Sequence, residues 1–98
     1  MAAKIIWSER ARLDLRELVM FIAEDDPARA LSFGESLVTF VEGAGTFPFM
    51  GRRVTDHTRE GLRELIFPPY RIAYLVDASN NTIEVVRVWH SARGRLDI

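Results

Sequence analysis

Residues 62–90, LRELIFPPYRIAYLVDASNNTIEVVRVWH, decide the fold. LRELIF (62–67), YRIAYLV (70–76) and IEVVRVWH (83–90) are rich in Ile, Val, Leu and aromatic residues and are bounded by turn signals, so each reads as a strand. Pro68-Pro69 blocks helix continuation and makes a tight corner between the first two. Asp77-Ala-Ser-Asn-Asn-Thr82 has the composition of a hairpin loop. In the middle strand Tyr70, Ile72, Tyr74 and Val76 form one apolar row, with Arg71, Ala73 and Leu75 on the other side. In the last strand strict alternation puts Ile83, Val85, Arg87 and Trp89 on one face and Glu84, Val86, Val88 and His90 on the other.

Upstream, the pattern is helical. KIIW (4–7) reads as a short strand, after which Ser8 suits a helix N-cap. Ala11, Leu15, Leu18 and Ile22 then recur at spacings of 4, 3 and 4, one apolar helical stripe. Asp26 suits a second N-cap, with Pro27 at the first helical position, where no N–H is needed. Ala30, Phe33, Leu37, Phe40 and Ala44 repeat the stripe until Gly43, Gly45 and Pro48 dissolve it. The short connection implies an antiparallel helical hairpin. FMGRR (49–53) reads as loop, TDHTREG (55–61) has no sustained periodicity, and the tail SARGRLDI (91–98) reads as a short turn or mobile end. The order of strand, two helices and three strands predicts a single α+β domain over 1–98, a helical hairpin against a mainly antiparallel sheet.

Composition bounds the chemistry. The chain has 98 residues, enough for one modest core. It lacks cysteine, which excludes disulfides, thiolate nucleophiles and cysteine metal sites. Its longest apolar runs, VMFIA (19–23) and IAYLV (72–76), are far shorter than a membrane span, and the first residues lack a secretory h-region, so a cytoplasmic protein is expected. Thirteen basic residues face fourteen acidic ones, and twelve of the thirteen are Arg. A chain built to hold nucleic acid by counterion release is distinctly more basic, so the balance points to a protein partner.

One helical layer cannot cover both faces of a sheet, so apolar sheet surface near Leu75 is expected to await a partner. Leu13 with Met20, and Leu31 with Val38, lie seven apart and off the main stripes. Each pair is either a second, partner-facing seam or a widening of the core stripe.

No dinucleotide fingerprint, P-loop, serine elbow or zinc-protease motif occurs, and His57 and His90 have no local metal-ligand spacing. No metal or cofactor is expected. One constellation remains: Arg63, Arg71, Arg87 and His90 in the strand region, followed by Arg93 and Arg95. Arginines clamping a scissile phosphate beside a proton-transferring His90 would make a metal-free ribonuclease with Arg71, His90 and Arg63 as catalytic residues. The other reading is plain: sheet-surface arginines paired with Glu60, Glu64 and Glu84, and a half-buried His90 ending a strand.

Several spaced pieces resemble the ParE/RelE superfamily of type II toxins, and within it the ParE, or plasmid-stabilisation, branch. They are Ala11-x-x-Asp14-Leu15, Asp26-Pro27-x-x-Ala30, Phe33 with Leu37, Pro48-x-x-Gly51-Arg52, Gly61-Leu62-Arg63-Glu64-Leu65, Tyr70-Arg71-Ile72-x-Tyr74-x-Val76, and Ile83 through Val88-x-His90-x-x-Arg93. The resemblance implies a toxin neutralised by a cognate antitoxin, ParD-like with a ribbon–helix–helix domain, that carries the complex to operator DNA for co-repression. It implies inhibition of DNA gyrase, or, on the RelE branch, ribosome-dependent mRNA cleavage. A non-toxic co-repressor is a third possibility. Arg71 and His90 fall where some RelE-branch nucleases place an Arg and a His, but the lysine cluster typical of that branch is absent. Arg63, Arg71, Trp89, His90 and Arg93 are accordingly assigned to target contact. Leu13, Met20, Leu31, Val38 and Leu75 are assigned to antitoxin binding, where a disordered segment recovers its ordering entropy by burying anchors. A heterotetramer or larger assembly with antitoxin is the family expectation.

Overall fold

The structure is a computed structural model that describes residues 2–55 and 59–94. His57 and Arg95 therefore lie outside the described residues. The elements run β1 (Lys4–Trp7), α1 (Glu9–Ala23), α2 (Pro27–Glu42), β2 (Arg52–Arg53), β3 (Arg63–Phe67), β4 (Tyr70–Asp77) and β5 (Thr82–His90), with 3-10 turns at Gly43–Gly45, Ala78–Asn80 and Ser91–Arg93. Both predicted caps form: Ser8 Oγ accepts from Ala11 N–H at 3.0 Å, and Asp26 Oδ1 accepts from Arg29 N–H at 3.1 Å. The sheet order is β1-β5-β4-β3-β2, with β1 parallel to β5 and every other pair antiparallel. Expected from sequence were four strands; Arg52–Arg53, read as loop, adds a fifth at the edge. Two residues are too few to show a period.

Both helices pack on one face of the sheet. The main core joins Ala11, Leu18 and Ile22 of α1, Ala30, Leu37 and Val41 of α2, and Leu65, Ile72, Tyr74, Ile83, Val85 and Val88 of the sheet. The helices approach closely at Gly34, where a Cβ would stand 3.1 Å from Val19 Cγ2. No helix among the described residues is long and apolar enough to cross a membrane.

The alternation read for the last strand is corrected by a bulge. Ala73 pairs with Arg87 while Tyr74 pairs with Val85, so Val86 is the extra residue. Beyond it the faces exchange: Val88 joins Ile83 and Val85 in the main core, while Val86 and Trp89 lie in a second cluster with Leu62 and Ala73. That cluster covers part of the sheet face away from the helices. Leu62, Ala73, Val86 and Trp89 are all buried, and Val54 and half-buried Leu75 pack against them. Val54 is fixed here by its N–H, which donates to Leu62 O at 2.9 Å. Ile66 remains exposed.

Candidate functional site

Among the described residues three charged side chains, Asp14, Glu64 and Arg87, are buried, and each is paired. Past Trp7, β1 leaves the edge of β5, and α1 takes its place. Ser8 Oγ donates to Val86 O at 3.3 Å, and Asp14 Oδ2 accepts from Val88 N–H at 3.0 Å. Arg87 Nε donates to the same Asp14 oxygen at 2.7 Å, and its Nη2 reaches Oδ1 at 3.2 Å. On the sheet face away from the helices, Glu64 accepts from Arg52 Nε at 2.6 Å and from Arg71 Nε at 2.5 Å. Asp14 lies on the apolar stripe of α1 and Glu64 between Leu62 and Leu65, and a carboxylate in such a place requires a buried cation. That signal stands in the sequence; the partners do not.

The register separates the predicted catalytic group. Arg71 pairs with Trp89 and Ile66 on the face away from the helices. His90 pairs with Tyr70 on the helix face, their rings edge-on at 5.2 Å. Arg63 is also on the helix face, opposite Tyr74, and its Nη1 donates to Gly51 O at 2.8 Å and Phe49 O at 3.2 Å. The structure thus does not bring Arg63, Arg71 and His90 together around one point.

It brings other residues together. A pocket of about 440 Å³ opens between α1 and the end of β5, lined by Asp14, Glu17, Phe21, Tyr70, His90 and Arg93 among others. His90 Nδ1 accepts from Ala92 N–H at 3.0 Å, so the neutral ring carries its hydrogen on Nε2 as a donor. Burial raises the Tyr70 hydroxyl above its ordinary 10.0, with the Arg93 and Arg29 charges pulling the other way. Trp89 carries Arg87 at 4.8 Å and Arg93 at 5.7 Å from its ring centroid, and its Nε1 donates to Gly94 O at 3.3 Å. Trp89, His90 and Arg93 therefore gather at one end of the molecule, with Arg71 opposite Trp89 in the register, while Arg63 stands apart.

Of the predicted seam residues, Leu13, Met20 and Leu31 are exposed and Val38 is half-buried. Leu31 and Val38 line a second groove of about 440 Å³ between the helices, with Leu15, Val19, Ala30 and Gly34. Among the described residues no three His, Cys, Asp or Glu gather as a metal site.

A helical hairpin on one face of a five-stranded sheet, with a parallel edge strand, is a fold seen in solved structures of toxin–antitoxin systems. Two solved structures share it. One, the chromosomal ParDE toxin–antitoxin system from P. aeruginosa, matches with a TM-score of 0.73 and 19% identity, over 91% of this chain and 96% of that one. The other, the RelBE2 toxin–antitoxin complex of Mycobacterium tuberculosis, matches with a TM-score of 0.68 and 23% identity, over 92% and 99%. The chain belongs to the family of ParE toxins of type II toxin–antitoxin (parDE) systems, which matches residues 5–94. It is similar to Toxin RelE2 of Caulobacter vibrioides, 31% identical over 93% of this chain and 98% of the relative, and to Toxin RelE1 of the same organism, 28% identical over 97% and 100%. It is thus a type II toxin of the ParE/RelE class.

Proposed function

We propose that this toxin acts by binding a protein, DNA gyrase, and not by bond chemistry. The observation that carries the reading is the division of the sheet: Arg71 is held by buried Glu64 on one face, and His90 stands on the other. A phosphate clamp and its proton-transfer group would need to converge within hydrogen-bond reach of one substrate. Arg63, Arg71, Trp89, His90 and Arg93 serve as target contacts, the last three as one cluster. The balanced charge, −1 overall, also suits a protein target.

The antitoxin, ParD-like with a ribbon–helix–helix domain, docks through Leu13, Met20, Leu31, Val38 and Leu75. The groove holding Leu31 and Val38 supports this, being apolar and open beside exposed helix positions. The complex, a heterotetramer or larger in the cytoplasm, represses its operon through the antitoxin's contact with DNA.

Ribosome-dependent mRNA cleavage is the second reading, and one observation favours it: Tyr70, His90 and Arg93 share a pocket. Gyrase supercoiling and cleavage assays with purified toxin distinguish the two. Linear DNA that accumulates with toxin and disappears with antitoxin supports gyrase poisoning. Intact DNA, together with cut mRNA on ribosomes that is spared by His90→Ala, replaces it with the nuclease.

A further inference from the structure

The turn Ser91–Arg93 closes β5 and is held from several sides. Ser91 N–H donates to Pro69 O at 2.8 Å, which ties the turn to the corner before β4. Ala92 N–H donates to His90 Nδ1 at 3.0 Å, so the imidazole caps the turn. Gly94 N–H donates to Ser91 O at 3.3 Å, and Gly94 takes φ +77°, a conformation that favours glycine. Its carbonyl accepts from Trp89 Nε1 at 3.3 Å.

What these bonds place is Arg93. Trp89 is buried on the sheet face away from the helices, while Tyr70 and His90 stand on the helix face. Arg93 meets both. Its guanidinium lies 5.7 Å from the Trp89 ring centroid, and it lines the pocket of about 440 Å³ together with Tyr70, His90 and Phe21. Of Trp89, His90 and Arg93, only Arg93 is exposed; Trp89 is buried and His90 half-buried. A cation seated on an indole ring has lost part of its rotamer freedom before any partner arrives, and the edge of the guanidinium fork still points its donors outward.

We infer that His90 is a positioning residue for Arg93: Arg93 makes the contact with the target, and His90 serves it through Nδ1, as the cap of the turn, and not through Nε2. The inference rests on the reading of this cluster as target-binding. The geometry demands an acceptor at the Nδ1 position of residue 90. Asn supplies one, because its Oδ1 stands the same number of bonds from Cβ, and Asn is a common cap. Gln carries its oxygen one bond further out, nearer the place of Nε2. The two amides therefore tell the two ring nitrogens apart.

The test uses full-length toxin carrying His90→Asn, His90→Gln, Arg93→Ala, or His90→Gln with Arg93→Ala, with thermal melts to show that each folds. NMR of the wild-type toxin should find the neutral His90 ring with its hydrogen on Nε2 and the Ala92 amide hydrogen-bonded; a hydrogen on Nδ1 overturns the inference. Growth arrest on expression, gyrase-dependent DNA cleavage and mRNA cleavage on ribosomes are measured together. Arg93→Ala and His90→Gln should each lose about tenfold or more in growth arrest, and the double variant should lose no more than Arg93→Ala alone. His90→Asn should rescue most of the loss seen with His90→Gln and keep the Ala92 amide bonded. Growth arrest at the wild-type level in folded Arg93→Ala overturns the inference. So does His90→Gln outperforming His90→Asn, which makes Nε2 a contact, or losses that multiply in the double variant, which make His90 act by itself. If the wild-type toxin spares gyrase and cuts mRNA while the variants keep the expected order, the gyrase reading falls and the positioning role stands. A wild-type chain that arrests nothing overturns both.

Discussion

Asp14 and Arg87 form an ion pair at 2.7 Å across 73 positions of sequence, with side chains only 5% and 7% exposed. The same carboxylate completes the edge of β5, taking the Val88 N–H where β1 has departed. One side chain thus joins helix to sheet and replaces a missing strand, a role that requires both of its oxygens and its charge. Arg10 also reaches Asp14 at 3.4 Å, but from a half-exposed position one helical turn away.

Removing Asp14 leaves a buried guanidinium and an orphaned N–H. Asp14→Ala should cost about 3–5 kcal/mol of stability, whereas Arg10→Ala should cost less than about 1 kcal/mol. Urea unfolding of the two variants checks the contrast; equal midpoints would show that Arg10, not Arg87, holds the carboxylate.

Gly51 has no room for a side chain. A Cβ there would stand 2.5 Å from the Tyr74 hydroxyl and 2.7 Å from Glu64 O, so Gly51→Ala should destabilise by about 1–3 kcal/mol. Tyr74→Phe strips the partner from the buried Gly51 N–H and should cost a comparable amount, about 1–3 kcal/mol. Because both act on the same contact, the double variant should lose less than the two single losses together. Strict additivity in a double-mutant cycle would place the effects elsewhere.

Met20 points away from the core and is 58% exposed. Met20→Asp should leave the melt within about 0.5 kcal/mol of the wild type while weakening antitoxin binding about tenfold or more. Leu31→Asp, at the rim of the interhelical groove, should behave alike. A Met20→Asp chain that loses its helical circular dichroism would make this position part of the core.

Asp77 accepts hydrogen bonds from Asn80 and Ser79, which hold its carboxyl below the ordinary 3.8. The unfolded chain therefore binds the proton more readily, so the contribution of these bonds is present above about pH 4 and is lost as pH falls through the lowered native value. Asp77→Ala should flatten the fall in stability below that pH. Acid titrations that superimpose for both chains would deny the loop this role.

The sequence carried the elements wherever the signal was local. Ser8 and Asp26-Pro27 announced both helix starts, Gly43 the second helix's end, and the β-branched runs around Pro68-Pro69 and Asp77–Thr82 the three long strands. The family was legible for the same reason, since its motifs are short and ordered along the chain. The candidate site was legible only as a set of residue types. Arg63, Arg71 and His90 stand in strands predicted to be neighbours, but which face each occupies depends on register, and one inserted residue at Val86 exchanges the faces of everything after it.

Residue spacing by itself thus determined the helical hairpin, the long strands and the family, because caps, turns and periodicity act over a few residues. Tertiary structure alone decided that β1 lies parallel to β5, that Asp14 and Glu64 find their arginines, and that Arg71 and His90 end on opposite sides of the sheet. Those outcomes come from long-range pairing and from the demand that every buried charge and edge N–H find a partner, and no window of a few residues contains that demand.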